Sequence, residues 1–163
     1  MIEEYGKKDA QTRAILTLFA LLIVGSFMGV LVSYVSLTIL QNRIGDATEI
    51  KGVWDAFRTN FTIDTIVICM NLSLLLGLLW GYRRDFMRTK SPFLLGLLLF
   101  ILVLFAQSLF SLPILNLIIS FINIGVRQGF VYILLAYKSS IFGILSHFFE
   151  TVALIILYYL SRE

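Results

Sequence analysis

The sequence predicts an all-α fold, a polytopic transmembrane helix bundle of five spans. Three observations carry that reading. Hydrophobic residues make up 59% of the chain and charged residues only 14%, with a mean hydropathy of +0.92, whereas soluble domains sit near about 45–50% apolar. The charges are clustered, leaving uncharged runs at 14–42, 65–82, 91–126 and 139–149. Two of those runs exceed the ~20 apolar residues that cross a bilayer. The net charge of +3 is loop bias, since no basic face with interleaved aromatics of the kind that grips nucleic acid is present. The single cysteine, Cys69, lies in an apolar run. It leaves no internal disulfide and no cysteine-based metal spacing, and its expected role is that of a small buried packing residue.

A polar arm over 1–13 precedes the first span, Ile15–Leu40. The arm mixes charges of both signs, the apolar run behind it is about twice a signal-peptide core, and no small-x-small site follows, so a retained first helix is expected. Within the span Gly25, Ser26, Gly29 and Ser33 form a small-residue stripe of the sort that lets another membrane helix come close. Residues 41–60 form a loop of zero formal charge, in which Val53, Trp54, Phe57 and Phe61 recur at helical spacing. That spacing predicts a short interfacial helix near 52–60.

The second span is about 61–82, with Asp64 one turn in and Asn71 on the same face. Cys69, Ser73 and Gly77 follow one another at fours, and Trp80 and Tyr82 make an end belt. The 83–90 loop carries four positive charges and one negative, which places it and the N-terminus in the cytoplasm. The uncharged run 91–126 would be about 54 Å long as one helix. Pro113 breaks it, giving a third span at 93–110 and a fourth at 114–137. The fifth is Ile141–Leu160, with a Tyr158-Tyr159 belt at its end. Five spans put eight Lys/Arg inside, four outside and Arg127 in the membrane, whereas the alternative, four spans plus a re-entrant or interfacial segment, gives eight and five. The whole of 1–163 reads as a single transmembrane domain.

The chemistry gathers in the last two spans. Asn116, Ser120, Asn123 and Arg127 fall at i, i+4, i+7 and i+11, one polar stripe on an apolar helix. Glu150 is the tenth residue of its span, and His147 lies three residues before it on the same face. A charge at that depth costs roughly 2.5–3.5 kcal/mol unless paired or wetted. The expected buried polar network is therefore Arg127 paired with Glu150, joined by His147, Asn123 and Asn116, with Asn60 added from the end of the first loop and Asp64 from the second span. His147 and Glu150 supply two ligands, too few for a closed metal site. No catalytic, phosphate-cradling or metalloprotease signature is present, so no cofactor and no catalysis are expected. An intramembrane Ser–His pair using Ser120 or Ser146 is the weaker alternative, because Ser146 adjoins His147 and faces another way.

Three stretches resemble the stage II sporulation protein M-like family of small multi-pass membrane proteins. Ala56-Phe57-Arg58-Thr59-Asn60-Phe61 is similar to that family's aromatic-then-paired-asparagine helix start, with Thr59 replacing one asparagine. Asn123-Ile124-Gly125 is similar to its Asn-Gly signal, and Ser146-His147-Phe148-Phe149-Glu150 to its His-Gly-x-x-Glu motif. Phe148 stands in place of the glycine, Ser146 where proline is common, and the His–Glu spacing is one residue shorter. The resemblance implies a multi-helix membrane protein without known catalysis, in one case part of a complex acting in envelope remodelling.

Two functions follow as expectations. One is a non-enzymatic, oligomeric scaffold or assembly module in the cell membrane, with the lipid bilayer and copies of itself or other membrane proteins as partners. The other is a small homo-oligomeric channel or transporter whose polar network is its path or gate. A dry, fully bonded network favours the first and a water-filled one the second.

Overall fold

The computed structural model describes residues 2–44, 51–112 and 141–160. Within them lie four helices: α1 (Ile2–Ile44), α2 (Lys51–Thr89), α3 (Pro92–Phe110) and α4 (Ile141–Leu160). Three contain stretches long and apolar enough to cross a membrane, Ile15–Ile39, Phe57–Thr89 and Pro92–Phe110. The five-span expectation is corrected accordingly. The apolar part of α4 is the shorter Gly143–Tyr159, which at 1.5 Å per residue measures about 25 Å against a ~30 Å hydrocarbon core. The expected span at 114–137 lies outside the described residues.

The helices also run further than apolarity alone indicated. α1 is helical from Ile2, taking in the arm read as separate. α2 is one helix of 39 residues, so the expected interfacial helix at 52–60, the span and the 83–90 loop are a single element. The reason is local: no proline occurs between Lys51 and Thr89, and side-chain charge alone does not interrupt the i→i−4 ladder. What ends α2 is Lys90, at φ 50°, whose N–H closes the last turn on the Phe86 carbonyl at 2.8 Å. Ser91 is extended and Pro92 opens α3, the position where a missing N–H and a fixed φ do no harm.

α1 and α2 pack antiparallel at backbone distance. Ser73 Oγ donates to the Leu21 carbonyl at 2.8 Å, and Ser33 Oγ donates to Thr62 Oγ1 at 2.9 Å. Between those contacts a Cβ on Gly25 would fall 2.7 Å from Met70 Cα, and one on Gly29 would fall 2.6 Å from Ile66 Cα. The pairs Leu21–Ser73, Gly25–Met70, Gly29–Ile66 and Ser33–Thr62 descend α2 as they climb α1, which fixes direction and register together. Cys69 is buried in this seam, its Cβ 3.3 Å from where a Gly29 Cβ would stand.

α3 returns along α2 after the Lys90–Ser91 turn, and α4 runs in the same direction as α2. Asn71 meets His147 on α4, and six residues later a Cβ on Gly77 would lie 3.4 Å from the Tyr158 ring. One apolar cluster draws on all four helices: Leu18, Leu74, Leu75, Leu78, Ile101, Leu154 and Tyr158. Tyr158 is 1% exposed, a core residue instead of the belt residue expected from its place near the end of an apolar run. α2 touches each of the other three helices and is the hub of the fold.

Candidate functional site

The seven side chains of the expected network divide sharply. Arg127, Asn116 and Asn123 lie outside the described residues. His147 and Glu150 come together on α4, with His147 Nδ1 3.3 Å from Glu150 Oε2, as their i, i+3 spacing requires. Asp64 is buried on α2, seven residues before Asn71 and so about 10 Å from it along the helix. Asn60 is half-buried and stands apart, eleven residues before Asn71 and so about 16 Å away along α2.

Three residues outside that set complete the site. Ser108 of α3 donates its hydroxyl to Glu150 Oε1 at 3.0 Å. Asn71 of α2 is fully buried. Its Nδ2 donates to the His147 carbonyl at 3.2 Å, and its Oδ1 accepts from Thr151 Oγ1 at 2.5 Å. Thr151 Oγ1 donates as well to the His147 carbonyl at 2.9 Å, one turn back on its own helix. The result is a polar node at which α2, α3 and α4 meet, with both Glu150 oxygens in hydrogen bonds.

Each member is positioned by an apolar surround. Leu74, Leu75 and Leu78 follow Asn71 into the core, Ile101 lies two turns before Ser108 on α3, and Leu154 one turn after Thr151 on α4. Asn71 sits thirteen residues from Arg58 and thirteen from Arg84, about 20 Å each way, so the node lies at mid-depth of the apolar stretch. There the hydroxyl of Ser108 and the ring of His147 face the Glu150 carboxylate. Bonds of this kind between membrane helices contribute about 0.6 kcal/mol each, up to about 1.7. Among the described residues no group of three or more His, Cys, Asp or Glu side chains could hold a metal ion.

Sequence signals for the missing members existed. Gln107 and Ser108 are the sole polar side chains of the third span, 93–110, and Thr151 adjoins Glu150. Asn71 stood out as an amide in lipid, but it was paired with Asp64 on its own helix and not with a partner 80 residues away.

The fold and the node define a class: an all-α protein with three helices long and apolar enough to cross a membrane. Within that class the chain belongs to a family of unknown function (DUF8036), whose match spans residues 60–162. No curated protein and no solved structure matches it. The family's description makes no connection with the sporulation protein M-like proteins. All five residues of the node fall inside the matched stretch, whereas the whole of α1 precedes it.

Proposed function

We propose that the chain is a non-enzymatic integral membrane protein, a scaffold or assembly module whose polar node fixes the packing of α2, α3 and α4. One observation carries this reading: Glu150 is held by Ser108 of α3 and by His147 on its own helix, while Asn71 of α2 grips the same stretch of α4 through the His147 carbonyl and Thr151, in the manner of a clamp. The Lys/Arg bias puts the N-terminus and the 83–90 end of α2 in the cytoplasm. The outer face of α1, with Phe19, Ile23, Phe27 and Tyr34 at 59–68% exposure, supports contact with lipid and with further copies or other membrane proteins.

A second reading, a small channel or transporter, draws on a different observation. The side chains of His147 and Glu150 keep 17% and 18% exposure, so the node is open at one side among the described residues. Purified protein reconstituted into liposomes separates the two. The scaffold requires that no flux of Na⁺, K⁺, Cl⁻ or H⁺ rise above that of empty liposomes, while Glu150→Gln lowers the melting temperature. Flux through the wild type that Glu150→Gln abolishes would establish the channel in its place.

Arg127 is proposed as the counter-charge of Glu150, because each charge alone at depth is costly. Arg127→Gln and Glu150→Gln are each expected to lower stability by about 2.5–3.5 kcal/mol, and the double variant to recover most of that loss. Strictly additive losses in unfolding titrations would remove the pairing.

A further inference from the structure

We infer that the cytoplasmic-end face of α2 formed by Trp80, Arg83, Arg84, Met87 and Arg88 is a binding site for the phosphate of an acidic phospholipid. These five side chains line an open cleft of about 420 Å³. Their positions around the helix, at 100° per residue, fall within an arc of about 140°. Asp85, the one acid nearby, lies outside that arc and meets only Arg84, at 3.9 Å from its Nε. Arg83, Arg84 and Arg88 are exposed, and so are the two apolar members, Trp80 at 73% and Met87 at 68%.

The placement of the cleft relative to the bilayer selects the occupant, and it rests on the membrane reading of the fold. The apolar stretch Phe57–Thr89 has 33 residues, about 50 Å of helix against a ~30 Å hydrocarbon core. From Asn60 to Trp80 the helix rises about 30 Å, so Trp80 marks the boundary. The three arginines that follow then stand at the level of the headgroups. A tryptophan at the acyl boundary with guanidinium groups one and two turns further out matches a phospholipid part by part. The ring and Met87 lie along the upper acyl chain, and the arginine forks face the phosphate oxygens, which they can bond in pairs. Three cations against one acid favour an anionic headgroup over a zwitterionic one.

The test uses the full chain in lipid nanodiscs, where both leaflets are accessible and orientation is irrelevant. Trp80 is one of two tryptophans, so Trp54→Phe leaves it as the sole reporter. Brominated phosphatidylglycerol is expected to quench Trp80 at a concentration at least about fivefold lower than brominated phosphatidylcholine, the effect of a single arginine at a membrane surface. Arg83→Gln/Arg84→Gln/Arg88→Gln is expected to equalise the two lipids while circular dichroism stays that of the parent. Equal quenching by both lipids in the parent, or a preference that survives the triple substitution, overturns the assignment. Displacement of the acidic lipid by millimolar inorganic phosphate would mark a soluble-anion site and also overturn it. Failure of the protein to enter nanodiscs at all would instead count against the membrane reading.

Discussion

Alanine at both Gly25 and Gly29 is expected to drive α1 off α2. A methyl at either position would stand 2.6–2.7 Å from a Cα of the facing helix, and backbone, unlike a side-chain tip, cannot turn aside. Overpacking costs typically 1–3 kcal/mol per site, and two rigid clashes in one seam place the pair near about 5 kcal/mol, comparable with the whole stability of many domains. Disulfide formation reads the outcome directly. Ser33→Cys and Thr62→Cys, at positions whose oxygens are 2.9 Å apart, are combined with Cys69→Ser. The cross-link should form readily with the glycines present and largely vanish with the alanines. Gly96→Ala is the control, because nothing lies within 4 Å of its added methyl. A double-alanine variant that cross-links and melts like its parent would show that the helices are not joined through this stripe.

Asn71→Ala is expected to have the next largest effect. The side chain is wholly buried and makes the bonds that tie α2 to α4. Removing it forfeits two interhelical hydrogen bonds of about 0.6–1.7 kcal/mol each and leaves a cavity. A loss of about 2–3 kcal/mol follows, with the cavity making up the difference. A double-mutant cycle with Thr151→Val isolates the Asn71–Thr151 bond, for which a coupling of about 0.6–1.7 kcal/mol is expected. Additivity within about 0.3 kcal/mol would mean that this contact, short as it is, does not hold the helices together.

The helices were legible because burial in lipid needs only a run of apolar residues, and the chain supplies several with charged borders. The small-residue stripe on α1 was legible for the same reason, since glycine and serine at spacings of three and four have few other uses in an apolar helix. Helix ends were not. The polar stretches 2–13, 51–56 and 83–89 keep the hydrogen-bond ladder going outside any apolar run, and polarity was read as loop. Span number failed on length: 20 mostly apolar residues at Ile141–Leu160 looked sufficient, but the apolar stretch of α4 is only Gly143–Tyr159.

At the site, the sequence put His147 beside Glu150 because both ride one helix at a fixed spacing. It did not bring Asn71 or Ser108 to them, because register between helices is set by packing far along the chain. Arg127, the charge expected to answer Glu150, lies outside the described residues. Among the described residues a neutral donor, the Ser108 hydroxyl, reaches the carboxylate, a bond that does not bury a second ion.

The uninterrupted course of α2 has a mechanical consequence. A helix of 39 residues is a rod of about 58 Å, and with no proline to bend it, a push at one end becomes a tilt of the whole. Its backbone approaches to α1, Ile66 against Gly29 and Met70 against Gly25, act as the fulcrum, and Asn71 directly follows Met70. A tilt of about ten degrees would carry the Arg84 end, about 20 Å away, through about 3 Å while hardly displacing the amide at the pivot. In the membrane arrangement proposed above, the arginine-lined tip would travel with changes in bilayer thickness, while the hydrogen bonds among Asn71, His147, Glu150 and Ser108 stay at the point of least travel.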